Sequence, residues 1–145
     1  MEGKGRITGH TGLLALIGSP VGHSGSPAMY NYSFEKLGLD YAYVAFDIKV
    51  EEVKAALDAM RLFHMRGCNV TMPCKTEAAK YMDELSPAAR IIGAVNTIVN
   101  EDGKLIGHMT DGEGFVGNLR DHGIEIKGKK ITVAGGGGAA TAIQV

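Results

Sequence analysis

The chain has 145 residues, of which 45% are hydrophobic and 21% charged, and its formal net charge is -1 at pH 7. The near-zero charge gives no electrostatic case for binding nucleic acid or an acidic membrane surface, and no apolar run is long enough to span a bilayer. Two cysteines are too few for a disulfide framework and fit a reducing cytoplasm, while the five histidines show no metal-ligand spacing. We therefore expect a cytoplasmic protein that holds no metal and whose partners include neither nucleic acid nor a membrane.

Strand and helix signals alternate along the first half of the chain. The polar segment 1–12 is expected to be a disordered or tag-like lead. Short apolar or β-branched runs predict strands, Pro27 and Gly38 mark the two ends of a helix, and apolar residues spaced by three and four predict an amphipathic helix. The predicted elements are a strand at 13–17, a helix at 27–37, a strand at 41–46, a helix around 50–61 and a strand at 68–72.

The second half continues this alternation and adds one antiparallel hairpin, whose turn is the Glu-Asp-Gly sequence at 101–103. The predicted elements are helices at 75–81 and 87–92, strands at 96–100 and 104–108, a helix at 112–122, a turn at 123–128, a strand at 130–134 and a glycine loop at 135–138 that leads into a further helix.

The alternation predicts an α/β fold with a largely parallel open sheet and helices on both faces. We place a domain boundary near residues 110–112. The segment 13–111 is long enough for one compact domain. The segment 112–145 has the pattern of a linking helix followed by the first strand and turn of an incomplete Rossmann domain.

Polar stretches follow the ends of several apolar runs, which is where an open α/β sheet places its ligand. They offer hydroxyl, amide, ammonium and carboxylate groups suited to a small ligand with several hydroxyls. The stretches lie at 23–27, 69–75, 93–97, 110–112 and 135–139.

Each of these residues also has a structural explanation. Ser26 and Pro27 are favoured as the N-cap and first residue of a helix, although a helix start with two hydroxyls is also a good carboxylate site. Lys75 lies in a first helical turn, where a cation opposes the helix dipole at a cost of about 0.3–1 kcal/mol, so a solvated lysine and a functional lysine are equally favoured. Asn96 alone is best explained as a turn residue.

Residues 110–113 fit a helix start in two ways. Asp111 alone is best explained as a cap for the helix that follows it. Thr110 and Glu113 also fit a capping box, which would leave Asp111 available for other work.

The glycine loop matches G-x-G-x-x-A through Gly135, Gly137 and Ala140, between a β-branched strand and a run of small residues. That context is the one required for a dinucleotide-binding turn, although an ordinary tight turn between strand and helix remains the alternative. The residue that selects NAD or NADP is expected about 20 positions later, after Val145.

In these residues the chain resembles the shikimate dehydrogenase family, including its quinate/shikimate dehydrogenase branch, from about Leu13 onward. The motifs occur in the family's order and spacing: His-Ser-x-Ser-Pro-x-Met-x-Asn at 23–31, Asn-Val-Thr-x-Pro-x-Lys at 69–75, Gly-Ala-Val-Asn-Thr at 93–97, Thr-Asp-Gly-x-Gly at 110–114 and Gly-x-Gly-Gly-Ala at 135–139.

The resemblance implies a role for each motif. Two serines would hold the substrate carboxylate, a threonine, an asparagine and an aspartate would bind ring hydroxyls, and a lysine would act as general acid/base with the aspartate orienting it. The implied substrate-binding residues are Ser24, Ser26, Thr71, Lys75, Asn96 and Asp111, the implied catalytic pair is Lys75 and Asp111, and the implied cofactor-binding residues are Gly135, Gly136, Gly137, Gly138 and Ala139.

The implied activity of the intact protein is reversible NADP(H)-dependent oxidation of shikimate to 3-dehydroshikimate, in chorismate and aromatic amino-acid biosynthesis. A quinate/shikimate dehydrogenase that uses NAD and a non-catalytic ligand-binding homologue are the alternatives. Three residues depart from the family pattern: Gly25, Met109 and Gly136. We expect the 145-residue chain by itself to be inactive, and residues after about 122 to be disordered or to pair with a second copy in a homodimer.

Overall fold

The computed structural model describes residues 7–135 and 138–144, with the side chains of 138, 139 and 144 left out. The elements, in chain order, are β1 (Gly12–Gly18), α1 (Ser26–Leu37), β2 (Tyr41–Asp47), α2 (Val53–Leu62, preceded by a 3-10 turn at Val50–Glu52), β3 (Gly67–Val70), α3 (Lys75–Ala79), β4 (Glu84–Leu85), α4 (Pro87–Ile92), β5 (Thr97–Glu101), β6 (Lys104–His108), α5 (Asp111–Asp121) and α6 (Gly138–Gln144).

The strands form one six-stranded sheet in the order β2-β1-β3-β5-β6-β4. Strand β1 is parallel to β2 and β3, and β4 is parallel to β6, whereas β5 is antiparallel to both of its neighbours. The predicted α/β class, the largely parallel sheet and the β5–β6 hairpin are therefore confirmed. Because only β5 is reversed, the carboxyl ends of β1, β3 and β6 and the amino end of β5 meet at one edge of the sheet.

Helices cover both faces of the sheet, as the alternation along β1 requires. Ala15 and Ile17 belong to the larger core cluster, which includes residues of α2, α3 and α4. Leu16 points to the opposite face and joins a smaller cluster with Phe34 of α1 and Tyr43 of β2. The loops at the sheet edge are therefore held between two packed layers.

Local signals set the helix ends. Gly38 ends α1 with φ 66°, a left-handed conformation that glycine adopts without steric cost. The hydroxyl of Ser86 accepts a hydrogen bond from the Ala89 N–H at 3.3 Å and caps α4, whose first residue is Pro87. These helices have the bounds predicted to within one residue.

Other predicted boundaries are wrong. No strand forms at 130–134 within the described residues, and the Ile131 side chain is 61% exposed. A strand exists only where a second strand pairs with its backbone, and that run has no partner in the described part of the chain. The short strand β4 was not predicted, because two residues carry no periodic signal.

The lead is also more ordered than expected where it is described. The Thr11 hydroxyl donates to the Asp40 carboxylate at 2.7 Å, and the Gly12 N–H donates to the Asp40 carbonyl at 3.0 Å as β1 begins. Residues 1–6 of the predicted lead lie outside the described residues.

Candidate active site at one edge of the sheet

Backbone hydrogen bonds tie the polar loops together at the sheet edge. The Thr71 N–H donates to the Ile17 carbonyl at 2.9 Å, which joins the loop after β3 to the end of β1. The Val70 N–H donates to the Asn96 carbonyl at 2.8 Å, and the Asn96 N–H donates to the His108 carbonyl at 2.9 Å. The loops that carry Thr71, Asn96 and Asp111 are therefore parts of one hydrogen-bonded rim.

Lys75 and Asp111 form an ion pair on this rim, with 2.6 Å between Nζ and Oδ2. Each is the first residue of its helix, α3 and α5. The side chains are 27% and 36% exposed, so solvent reaches both. A pair this exposed contributes only about 0–1 kcal/mol to the stability of the fold. Stabilisation alone is therefore a weak explanation for the geometry of this pair.

Asn96 holds the second oxygen of the same carboxylate. Its Nδ2 donates to Asp111 Oδ1 at 2.6 Å and to Thr110 Oγ1 at 3.0 Å, and its Oδ1 accepts from the Thr110 N–H at 3.0 Å. Asn96 is buried, and a buried amide with satisfied hydrogen bonds has little freedom to turn. The carboxylate of Asp111 is thus oriented from two sides, by an ammonium and an amide.

These contacts decide between the alternatives at the start of α5. Thr110 occupies the N-cap position, but its side chain makes no capping hydrogen bond among the described residues. Its hydroxyl instead lies against the Asn96 amide. The predicted capping box with Glu113 is therefore wrong, and Asp111 is a residue of the helix rather than its cap.

The two serines lie at the start of α1, after β1. Gly25 is the N-cap and Ser26 is the first helical residue, so the prediction that Ser26 caps the helix is wrong. The Ser24 hydroxyl accepts a hydrogen bond from the Ser26 N–H at 3.2 Å, which orients both residues at the helix start. Gly25, which departs from the family pattern, has open space where a Cβ would lie, so the loop does not require glycine there.

Thr71 follows β3 directly and packs against the end of β1. A Cβ at Gly18 would lie 2.5 Å from Thr71 Cγ2 and 2.8 Å from the Met72 carbonyl oxygen, and Gly18 has φ +151°. Glycine at position 18 is therefore what allows the loop that carries Thr71 to approach the end of β1. The sequence offered only a weak sign of this, a glycine directly before Ser19-Pro20.

Sequence reasoning missed the residues that support this rim from the α1 face. The Tyr43 hydroxyl donates to Asn69 Oδ1 at 2.8 Å, and Asn69 Nδ2 donates to Thr97 Oγ1 at 3.2 Å and to the Asn96 carbonyl at 3.4 Å. Burial raises the pKa of Tyr43, with smaller contributions from Tyr30 and Cys68. A hydrogen-bond chain therefore runs from β2 across the sheet to the main chain of Asn96.

Asn31 anchors the Tyr43 end of this series of hydrogen bonds. Its Nδ2 donates to the carbonyls of Pro27 and Tyr43, each at 2.7 Å, and its Oδ1 accepts from the Tyr43 N–H at 3.0 Å. The start of α1, where Ser24 and Ser26 lie, is thus fastened to β2. The motif around residues 23–31 ends on this asparagine, which was the available signal.

Cys74 lies next to Lys75 but has no reactive character. Its thiol is fully buried, and Sγ lies 3.7 Å from the Ile48 carbonyl. Burial, together with Glu51 and Glu52, raises the pKa of Cys74, so the thiol stays protonated. Cys74 is a small core residue, as favoured from sequence.

The glycine loop is described only in part. Gly135 has φ +116°, a conformation that side chains disfavour, and α6 begins at Gly138. The cofactor candidates Gly136 and Gly137 lie outside the described residues. Met109, another departure from the family pattern, is buried in the larger core cluster beside Thr110.

An apolar cavity of about 460 Å³ lies between α2 and strands β1 and β2. Lys75, Asn96 and Asp111 do not line it. Over residues 7–135 and 138–144, no group of three His, Cys, Asp or Glu side chains is placed to hold a metal ion. No helix in the described part of the chain is long and apolar enough to cross a bilayer.

Comparison with known proteins identifies the family of this chain. A family model described as the shikimate dehydrogenase substrate binding domain matches residues 16–98. A shikimate dehydrogenase (NADP(+)) of Listeria monocytogenes serotype 4b (strain F2365) is 55% identical over 140 residues, which are 97% of this chain and 48% of that relative. The chain therefore spans about half the length of the curated relatives it matches.

Two solved structures have the same fold over nearly the whole chain. Shikimate 5-dehydrogenase from Listeria monocytogenes, in complex with shikimate and NAD, has a TM-score of 0.92 and 55% identity, covering 95% of this chain and 48% of that one. The enzyme from Thermus thermophilus, in complex with NADP(H) and shikimate, has a TM-score of 0.86 and 41% identity, covering 92% of this chain and 50% of that one.

Proposed function

The chain belongs to the shikimate dehydrogenase family, and from that premise we propose that the intact protein reversibly oxidises shikimate to 3-dehydroshikimate with NADP(H), a step of chorismate and aromatic amino-acid biosynthesis. The observation that carries the proposal is the Lys75–Asp111 pair held by Asn96 at the rim of the sheet. A protein that only bound the acid would need hydroxyl and amide groups, but it would have no need for an oriented ammonium–carboxylate pair.

The remaining polar residues supply a site for a carboxylate with several hydroxyls. Ser24 and Ser26 lie at the start of α1, where backbone N–H groups and the helix dipole favour an anion. We assign the substrate carboxylate to these two serines. Thr71, Asn96 and Asp111 are assigned to the ring hydroxyls, because they are hydrogen-bonding groups on the same rim.

Oxidation of a secondary alcohol requires a group that takes the hydroxyl proton. Lys75 Nζ is assigned this role in its neutral amine form, after the ammonium has released a proton to solvent, because it is partly exposed at the rim and Asp111 holds it in place. In the reverse direction the same nitrogen returns the proton to the carbonyl oxygen. Asp111 has one oxygen on Lys75 and the other on Asn96, which fixes the direction in which Nζ points.

The described residues fit a dinucleotide at the glycine loop. Gly135 takes a backbone conformation suited to a tight turn, and α6 begins with small residues at Gly138. Backbone N–H groups in such a turn are the donors that a pyrophosphate requires. We assign Gly135, Gly138 and Ala139, with Gly136 and Gly137 between them, to the cofactor. When bound, NADP would supply the hydride acceptor.

The proposed organisation places the substrate-binding domain at 13–111 and the start of the cofactor domain at 112–145. Both cysteines are free and buried, which supports a reducing compartment, and we propose the cytoplasm. A homodimer is also proposed, because Phe115, Ile124 and Ile131 expose apolar surface at this end of the chain. Sedimentation of the purified protein tests the dimer.

The decisive experiment assays the intact protein with shikimate and quinate, each against NADP and NAD. We expect reduction of NADP with shikimate. Reduction of NAD with quinate at the higher rate would assign the protein to the quinate/shikimate branch. Calorimetric binding of shikimate without any nicotinamide reduction would show a binding protein and overturn the proposal.

The 145-residue chain gives a second test of the same assignment. We expect it to bind shikimate weakly and to transfer no hydride, because it spans only half of its relatives' length. Turnover by this chain alone would show that the glycine loop and α6 are sufficient to hold the cofactor.

A further inference from the structure

Gly112, the second residue of α5, contacts the backbone of α6. A Cβ built at this position would overlap the carbonyl oxygen of Ala142 and would lie 3.5 Å from the Ile143 nitrogen. Two other glycines of the same helix, Gly114 and Gly117, have nothing within 4 Å of the corresponding position. Among the three glycines of α5, Gly112 alone therefore has the backbone of α6 where a side chain would lie.

The backbone conformation of Gly112 does not require glycine. Its φ lies outside the left-handed range in which side chains are disfavoured, and it belongs to a regular helix. Alanine has a higher helix propensity than glycine, so a residue serving α5 alone would be better as alanine. Gly114 and Gly117 carry the same propensity cost, but only at Gly112 does the backbone of the neighbouring helix exclude a side chain.

The contact lies at the junction between the two parts of the chain. Ala142 is 3% exposed and belongs to the same core cluster as Met109 and Ala89 of the substrate-binding part. Helix α6 is the helix that directly follows the glycine loop. One turn of that helix is thus packed on the substrate-binding part rather than standing free.

The peptide bond between Asp111 and Gly112 joins two different contacts. Asp111 binds Lys75 and Asn96, and Gly112 packs against the backbone of α6. We propose that Gly112 is a positioning residue that sets the distance between the dinucleotide turn and the Lys75–Asp111 pair. This inference rests on the proposed function, because it assigns the turn to a cofactor that reacts with a substrate at that pair.

A side chain at position 112 would move α6 away by on the order of 1 Å, the change needed to restore an ordinary carbon–oxygen contact. Displacements of this size between reacting groups are able to slow a reaction by about 10²-fold. The effect is expected on hydride transfer and on cofactor affinity. Shikimate affinity should stay within about threefold, because residue 112 has no polar side chain to offer the substrate.

The contact itself is tested by NMR on the 145-residue chain. We expect nuclear Overhauser effects between the Gly112 α-protons and the Ile143 amide proton in the native chain. In Gly112→Ala the nuclear Overhauser effects between α5 and α6 should weaken, as expected for a separation larger by on the order of 1 Å, while those of the β1–β3 pair keep their intensity, which controls for folding. Gly114→Ala and Gly117→Ala are the matched controls and should keep both sets. Absence of the contacts in the native chain, or unchanged intensities in Gly112→Ala, overturns the proposal.

The functional consequence is tested in the intact protein. Gly112→Ala should lower the single-turnover rate of hydride transfer about 10²-fold and weaken NADP binding measured by calorimetry, with Gly114→Ala unchanged. An equal loss of shikimate affinity, or a wild-type rate in Gly112→Ala, overturns the inference. Failure of the native protein to reduce NADP or NAD defeats the proposed function instead, and the NMR result still decides the contact.

Discussion

Lys75 Nζ and Asp111 Oδ2 lie 2.6 Å apart although the two residues are separated by 36 positions in the sequence. They meet because β3 and β6 run in the same direction and both end at the rim from which α3 and α5 begin. The pair is partly exposed, so its charges stay close to solvent and to any ligand on the rim. This relationship is the basis of the first prediction.

Lys75→Met in the intact protein should lower the turnover number by about 10²–10⁴, the usual range for a lost general acid/base. Shikimate affinity should change less, because the other polar groups of the rim remain. Lys80→Met is the matched control: Lys80 ends the same short helix and pairs with Glu77 at 2.6 Å on the exposed surface. An equal loss of turnover in both variants would contradict the role of Lys75.

Replacing both Ser24 and Ser26 by alanine should raise the Michaelis constant for shikimate and leave the turnover number nearly unchanged. Hydroxyls on a carboxylate that does not react bind the ground state and the transition state alike. Ser33→Ala in α1 is the control, since the Ser33 hydroxyl donates to the Met29 carbonyl within the helix. A fall in turnover at constant Michaelis constant would reject the carboxylate assignment.

Asn96→Ala should lower the free energy of unfolding by about 1–3 kcal/mol, because the Thr110 N–H would lose its buried acceptor. The Asp111 carboxylate would also lose the amide that orients it, so turnover should fall together with stability. Urea unfolding measures the first effect. The exposed Asn118→Ala should show neither, and a stable but inactive Asn96→Ala would mean that Asn96 serves the substrate alone.

Stability should decline as the pH rises above about 9. Burial raises the pKa of Cys68 from 9.0 to about 12, and burial also raises the pKa of Tyr43 above 10.0. The folded protein keeps protons that the unfolded chain releases, so this stability is fully present below the unfolded pKa values and is lost at higher pH. Urea unfolding at roughly pH 8 and roughly pH 10.5 measures the loss.

Tyr43→Phe should make that alkaline loss smaller, because the tyrosine's ionisation no longer contributes. At neutral pH the variant should be less stable by about 0.5–1.5 kcal/mol, since the hydrogen bond to Asn69 is gone. Tyr32→Phe, at an exposed position, should match the native protein at both pH values. An unchanged pH dependence in Tyr43→Phe would assign the alkaline loss to other groups.

Much of the fold was predictable because its signals are local. Apolar residues spaced by three and four predicted α2, and Pro27 and Gly38 marked the ends of α1, since helix ends depend on residues within one turn. The hairpin around Glu101-Asp102-Gly103 follows from turn chemistry. The family motifs likewise brought Ser24, Lys75 and the other candidate residues to attention from sequence alone.

The tertiary structure decided what depends on partners distant in sequence. The strand at 130–134 was predicted from its β-branched residues, but a strand also needs a neighbour, which local sequence does not provide. The sequence around Thr110 predicts a capping hydroxyl, but in the structure this hydroxyl accepts a hydrogen bond from the Asn96 amide. From the sequence, Tyr43 is an ordinary residue of a predicted strand. Its hydroxyl reaches Asn69 only because the sheet has the strand order β2-β1-β3.

The sequence by itself therefore determined most of the segments that form helices and strands and which polar residues follow them. Only the folded sheet determined that Lys75, Asn96 and Asp111 share one hydrogen-bonded cluster. The physical reason is range: backbone conformation and capping are set within a few residues, whereas a side-chain contact depends on strand order and register across the whole sheet.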